Sequence, residues 1–263
     1  MIQVAVSGAA GRMGRTLVRL IAEADDLRLA AAIEASGHDA VGTDAGTLAG
    51  VGPLGVDVAD ALSVHADVLV DFSLPDGSLQ RIEACAEAGV PCVVGTTGFS
   101  QDQRRRIEKA AEKTAVVLAP NMSVGVNVLF HAAAELARTL GPAYDIEILE
   151  AHHRFKKDAP SGTALKLAEE IADATGRNLE ESAVHGRGPG HPPRQEGEIG
   201  IHAVRGGDIV GEHVVYYTAV GERLELKHVA HSRDTFAHGA LRAARWVADR
   251  GPGLYTMTEV LGL

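Results

Sequence analysis

Only two cysteines, Cys85 and Cys92, occur in 263 residues, too few for the disulfide framework of a stapled secreted fold. One falls in an expected helix and the other in an expected strand, so both read as buried thiols of a reducing compartment. Positive charge is scarce too: 25 Lys and Arg stand against 35 Asp and Glu, a formal net charge of -10. Phosphate binding needs a basic face, and no long basic tract appears outside one short stretch, so nucleic acid is not expected as a partner. No apolar run approaches the ~18 residues of a membrane span. The N-terminal MIQVAVSGAAGRMGR has neither the positive start nor the apolar segment of a signal peptide. The expectation is a cytoplasmic, soluble protein without a membrane partner. With 46% hydrophobic residues the chain can bury a sizeable core, as one large domain or two modest ones.

Along the first half, short runs rich in Val, Ile and Ala (Ile2 to Ser7, Leu27 to Ile33, Val68 to Phe72, Cys92 to Val94, Ala115 to Ala119) alternate with helical patterns such as Arg12 to Ala24 and Gln101 to Lys113. Continuous rather than alternating apolar strands imply burial on both faces, which predicts a doubly wound α/β unit with a parallel sheet. Its first turn is VAVSGAAGRMGR, with glycines at Gly8, Gly11 and Gly14. Glycines let the backbone approach a pyrophosphate, and the helix opening near Arg12 offers unpaired N–H groups. Glu34, twenty residues after Gly14 at the end of the second strand, is placed to accept hydrogen bonds from an adenosine ribose. VVGTTGFS and LAPNMSVGVN follow later strands; ligands in such sheets lie outside the carboxyl ends of strands, so Gly95, Thr96, Thr97 and the backbone near Asn121 are candidates for the nicotinamide end.

From about Val124 the pattern changes: a helical run to Leu140, a strand Asp145 to Ala151, a helix Ser161 to Thr175, a Gly/Pro-rich loop Gly186 to Glu198, and β-like runs Ile199 to Arg205, Glu212 to Ala219 and Arg223 to Ala230. This predicts a mixed α/β second domain with a largely antiparallel sheet. The helix Thr235 to Asp249 is expected to return to the first domain. Between strand and helix lies EAHHRFKKDAPSGTA, which concentrates the positive charge of an acidic chain. Cations and a helix N-terminus face the same region, and two groups of donors suit a small dicarboxylate held at both ends. Gly162 and Thr163 permit close approach of a ligand to backbone. A zinc site at His152 and His153 is not expected, since the neighbours are cationic and no Cys or carboxylate completes a ligand set at typical spacing.

In GAAGRMGR, VDFSLPDG, VVGTTGF, APNMSVGVNVL, EAHHRFKKDAPSGTA, AVRGGDIVGEH and HSRDTFAHGAL, nearly the whole chain resembles the dihydrodipicolinate reductase family. The resemblance implies a Rossmann-type domain (1–123 with 233–263) and a smaller α+β domain (124–232) whose open mixed sheet binds substrate and builds a homotetramer. It implies NADH or NADPH as cofactor, held by Gly8, Ala9, Ala10, Gly11, Arg12, Met13, Glu34, Gly95, Thr96, Thr97, Ala119, Pro120, Asn121 and Met122. His152 takes the family's acid/base position and Lys156 its proton-donor position; His153, Ser161, Gly162, Thr163 and Arg233 fall on the substrate, a cyclic imine bearing two carboxylates. Ala35 and Leu74 stand where some relatives carry arginines, which leaves the choice between the two cofactors open; Arg12 and Arg15 are the expected partial compensation. Two other readings are a dehydrogenase of acyclic amino or oxo acids and a non-catalytic nucleotide sensor, neither of which accounts for the HHR-x-K and SGT pairing.

Overall fold

A computed structural model describes residues 1–61 and 65–263. In chain order the elements are β1 (Ile2–Ser7), α1 (Arg12–Ala22), β2 (Leu27–Ile33), α2 (Ala45–Ala49), β3 (Val58–Ala59), β4 (Val68–Asp71), α3 (Pro75–Ala88), β5 (Cys92–Val94), α4 (Gln101–Ala111) and β6 (Ala115–Leu118). There follow α5 (Val124–Leu140), β7 (Asp145–His152), α6 (Gly162–Thr175), α7 (Leu179–Ser182), β8 (Ala183–His185), β9 (Ile199–Arg205), β10 (Gly211–Ala219) and β11 (Glu222–Ala230). The chain ends with α8 (Asp234–Val247), β12 (Gly253–Tyr255) and α9 (Met257–Leu261). It divides into two compact units, Met1–Val124 with Asp234–Leu263, and Gly125–Arg233.

The first unit holds a seven-stranded sheet in the order β12-β6-β5-β4-β1-β2-β3. Its strands pair in parallel. All four residues of β4 are buried, as two-sided burial demands. α1 turns Leu17, Val18, Leu20 and Ile21 inward. α8 belongs to this unit, and its approach depends on Gly239, where a Cβ would sit 1.7 Å from the carbonyl oxygen of Met122. The short strands β3 and β12 were not foreseen: Val-Ala and Gly-Leu-Tyr form no apolar run that stands out from the residues around them. Cys85 and Cys92 are free and buried.

The second unit is a five-stranded sheet in the order β11-β10-β7-β9-β8. β10 runs antiparallel to β7 and β11, whereas β9 is parallel to both β7 and β8. The sheet is therefore evenly mixed rather than largely antiparallel; α6 carries the chain across between β7 and the parallel pair, and β8, three residues long, was invisible in the sequence. Ile146, Ile148, Val215 and Tyr217 pack with Leu129 and Ala133 of α5 and Leu167 and Ile171 of α6. Tyr217, fully buried, donates its hydroxyl to the Ala133 carbonyl at 2.7 Å. Among the described residues no helix is long and apolar enough to cross a membrane.

Candidate functional site

In the first unit the chain order reverses between β1 and β4, and loops at the carboxyl ends of strands beside such a reversal form a ligand crevice. Gly8 adopts φ +75°, and a Cβ there would lie 2.4 Å from the Phe72 carbonyl oxygen. A Cβ on Gly14 would lie 2.1 Å from the Gly8 carbonyl oxygen. Glycine is thus a steric requirement of strand–turn–helix packing here. Gly11 caps α1 without any side-chain hydrogen bond, so the first N–H groups of α1, from Arg12 onward, lack an internal partner and are free to meet an anion. The Glu34 carboxylate accepts from Ala10 N–H and Ala35 N–H, each at 3.0 Å. This clamp leaves it facing a cavity of about 450 Å³ lined by Gly8, Gly11, Glu34, Ala35, Phe72 and Arg81, among others. Glycine turn, helix start and fixed carboxylate fit the pyrophosphate and ribose of a dinucleotide.

The other residues expected on the cofactor divide by role. Ala9 and Met122 are buried in the core and offer only their backbone. Met13 packs partly buried against that core, while Arg12 is exposed. Gly95 is forced by Phe72, whose ring carbon would lie 2.3 Å from a Cβ. The Thr96 hydroxyl donates to buried Asp71 at 2.6 Å and accepts from Ser73 N–H at 2.9 Å, so it ties loops together instead of facing a ligand. Asp71 also takes the hydroxyls of Ser7 and Ser73. This knot at the ends of β1, β4 and β5 was missed; the acid closing a buried strand in VDFS was its signal. Thr97 and Pro120 are exposed, Ala119 is buried, and Asn121 Oδ1 accepts from Ser123 N–H at 2.9 Å. Arg15 spends its Nε on the Ala10 carbonyl at 2.9 Å, and Arg81, not Arg12 or Arg15, lines the cavity.

In the second unit the basic stretch resolves into inward and outward residues. Arg154, Phe155 and Lys157 are exposed, whereas His152, His153 and Lys156 are partly buried. At the centre is Glu150, with no exposed surface. Its carboxylate meets His152 Nδ1 at 2.6 Å, both terminal nitrogens of Arg205 at 2.8 and 2.7 Å, and the Ser161 N–H at 3.0 Å. Register explains the meeting: β9 sets Arg205 opposite His152, and β10 sets His213 opposite Glu150. Burial pushes the Glu150 carboxyl up, but Arg205, His152 and the Ser161 amide outweigh it and hold it below the ordinary value. Burial lowers the His152 imidazole; Glu150 opposes this, and Lys156 and Arg205 add to it. A neutral His152 donates Nδ1–H to Glu150 and leaves Nε2 for chemistry. Lys156 pairs with Asp158 at 2.9 Å, and Arg205 donates to the Asp158 carbonyl at 2.6 Å.

Ser161 is the N-cap of α6, its hydroxyl accepting from Ala164 N–H at 3.2 Å. The same hydroxyl meets buried His213 Nε2 at 3.2 Å. A Cβ on Gly162 would meet nothing within 4 Å, so open space adjoins the helix start, and Thr163 follows it. His153 Nδ1 has no hydrogen-bond partner. Arg233 is exposed and makes no hydrogen bond or ion pair among the described residues, so it does not join this cluster. Glu150, Arg205 and His213 were not singled out from the sequence, although EAHH and AVRGGDIVGEH contain them. Among the described residues no cluster of His, Cys, Asp and Glu is arranged to hold a metal.

Comparisons with known proteins bear on both units. The family model described as dihydrodipicolinate reductase, N-terminus, matches residues 2–122, and that described as dihydrodipicolinate reductase, C-terminus, matches residues 125–261. The 4-hydroxy-tetrahydrodipicolinate reductase of Syntrophotalea carbinolica is 50% identical over the full length of both chains. That of Magnetococcus marinus is 52% identical, covering 99% of this chain and 98% of its own. A dipicolinate-bound dihydrodipicolinate reductase from Paenisporosarcina sp. TG-14 superposes with a TM-score of 0.78 at 26% identity, covering 98% of each chain. An amine dehydrogenase from Mycobacterium smegmatis, at 15% identity and a TM-score of 0.60, shares the fold alone. With half its residues identical to relatives over their whole length, and both family halves matched in order, the chain belongs to the dihydrodipicolinate reductase family.

Proposed function

We propose that the chain reduces 4-hydroxy-tetrahydrodipicolinate, by way of dihydrodipicolinate, to tetrahydrodipicolinate in the diaminopimelate route to lysine, using NADH or NADPH. The observation that carries this reading is the Glu150–His152 pair, with Lys156 on the loop that leads from β7 into the N-terminus of α6. A bound nicotinamide supplies hydride to C4 of the conjugated ring. Electrons shift toward the ring nitrogen, and Lys156 stabilises that charge and gives a proton. His152, fixed through Nδ1, presents Nε2 as the second acid/base group. Ser161, Gly162 and Thr163 at the α6 N-terminus, with His153, receive a carboxylate. Arg233, exposed and outside that cluster, would reach the substrate from solvent. The first unit serves as the nucleotide-binding domain and the second as the substrate-binding domain, with Glu34 accepting from the ribose and the turn from Gly8 to Met13 meeting the pyrophosphate.

The quaternary expectation is a homotetramer. One face of the second sheet is covered by α5 and α6, and strand alternation places Leu149, Val204 and Tyr216 on the other. Packing against further copies would cover that face. A monomeric mass in light scattering at micromolar concentration would refute it. The function is tested by following NADH and NADPH oxidation with enzymatically generated 4-hydroxy-tetrahydrodipicolinate. Nucleotide binding without turnover would favour a sensor, and turnover of an acyclic oxo acid instead would favour the other dehydrogenase reading.

A further inference from the structure

The ribose end of the nucleotide cavity contains a cation that no sequence motif announced. The residue after Glu34 is Ala35, without charge, and Leu74 at the N-cap of α3 is 77% exposed and apolar. Nearly two turns into α3, Arg81 folds back across Gly77. Its Nη2 donates to the Glu34 backbone carbonyl at 3.2 Å, and its Nη1 lies 2.8 Å from where a Cβ on Gly77 would sit. A side chain at position 77 would have to displace the guanidinium, so glycine clears its path. Arg81 forms no ion pair with any carboxylate among the described residues, Glu34 included, unlike Arg19, Arg106 and Arg245, each of which has one. Its charge is therefore uncommitted, and it lines the same cavity as Glu34, Ala35 and His38.

We infer that Arg81 is the specificity-determining residue of this cavity, the group that receives a phosphate on the adenosine 2′-oxygen and so admits NADPH beside NADH. The inference rests on the pyridine-dinucleotide reading above. The Glu34 carboxylate suits free ribose hydroxyls and repels a 2′-phosphate. A planar guanidinium anchored by one nitrogen to the backbone of that same residue supplies the opposing charge and still has N–H groups in a fork suited to phosphate. The two groups act in opposite senses on one position of the ribose, which gives dual use without an arginine at position 35. The His38 Nδ1 is engaged, accepting from Ala40 N–H at 3.1 Å. Asp76, also at the cavity, is engaged by Gln103 Nε2 at 2.7 Å.

The test is direct binding, by calorimetry on the full chain, of NADH, NADPH, 5′-AMP and 2′,5′-ADP to the parent, Arg81→Met and Arg81→Lys. A charged hydrogen bond contributes enough that Arg81→Met should raise the ratio of the NADPH to the NADH dissociation constant by about 10- to 100-fold. The ratio for 2′,5′-ADP over 5′-AMP should rise alike, and Arg81→Lys should rise less in both. Binding of NADH by each variant reports an intact cavity. A ratio that stays within about threefold of the parent in Arg81→Met, or a loss shared equally by both cofactors, would overturn the assignment and reduce Arg81 to a brace for the Glu34 carbonyl. If the parent bound neither dinucleotide, the cofactor reading would fall, and this inference with it.

Discussion

The nucleotide cradle and the Glu150 cluster meet an anion in different ways. The cradle is built from main chain: Gly8, Gly11 and Gly14 bring the backbone close, and the unpaired amides of α1 supply the positive field. The cluster is built from side chains, with a fully buried carboxylate satisfied by Arg205, His152 and the Ser161 amide. The glycine turn itself has no charge to lose by mutation, only space. A buried ion-pair site has both charge and desolvation at stake, so it should break more sharply.

The largest expected effect is at Lys156. If its ammonium gives a proton and stabilises charge as the ring accepts hydride, Lys156→Met should lower kcat by ~10²-fold or more. The Michaelis constant should change less, while exposed Lys157→Met should alter little. An anion clamp would show the reverse, a raised Michaelis constant at nearly constant kcat. A kcat within about threefold of the parent, far short of the loss of an acid, would remove Lys156 from the catalytic assignment.

Glu150→Gln comes next. It leaves the partly buried Arg205 guanidinium, still held by the Val204 and Asp158 carbonyls, opposite a neutral amide; losing the charged partner costs about 3 kcal/mol, readable as a lowered urea midpoint. The variant carries a second signature. Glu150 raises the His152 imidazole against burial, so its loss should move the His152 limb of the kcat–pH profile toward acid. A stability loss with an unmoved profile would make Glu150 a structural residue rather than one that positions His152.

These contrasts explain what could be read from the chain beforehand. Glycine spacing, strand runs and the acid at position 34 are local, and they led to the parallel sheet and the cradle. The ends of α5 and α6 were legible for the same reason, Ser161 standing at a cap. Arg205 and His213 reach the cluster across strand register, from 55 and 52 residues away in sequence, and no periodicity encodes that distance. The parallel pairing of β9 with β7 was hidden likewise, since pairing direction follows from topology and not from composition. The Asp71 knot and Arg81 were overlooked because a buried strand-end acid and a helix arginine have common structural uses.

A paired glycine experiment sharpens the comparison. Gly14→Ala drives a Cβ to 2.1 Å from the Gly8 carbonyl oxygen, between two backbone segments that cannot yield; a cost of about 3 kcal/mol is expected. Gly162→Ala meets nothing within 4 Å and should hold or slightly raise stability, since Ala favours a helix over Gly by about 1 kcal/mol. Its effect should instead appear as a raised Michaelis constant for the dicarboxylate. Equal destabilisation of the two in urea would show that the α6 start, too, is packed rather than open.

The smallest effect concerns acid, and it should arise in the second unit. Burial, with nearby His152 adding to it, lowers the His213 imidazole from 6.5 to about 3. The unfolded chain therefore takes up a proton near pH 6.5 that the folded chain refuses until about pH 3. Between those limits the unfolded state binds more protons, so His213 contributes stability that is complete above pH 6.5 and lost as pH falls toward 3. From pH 7 to pH 5 that linkage amounts to about 2 kcal/mol. His213→Phe removes the titration while also removing the Ser161 contact, so its stability at any one pH is uninformative. The difference between pH 7 and pH 5 is the useful quantity, because a constant cost cancels. The parent should lose about 2 kcal/mol more than His213→Phe over that interval, measured by urea unfolding. Identical losses would mean that water reaches His213 in the folded protein, and that the Ser161–His213 bond caps α6 without a buried, neutral imidazole behind it.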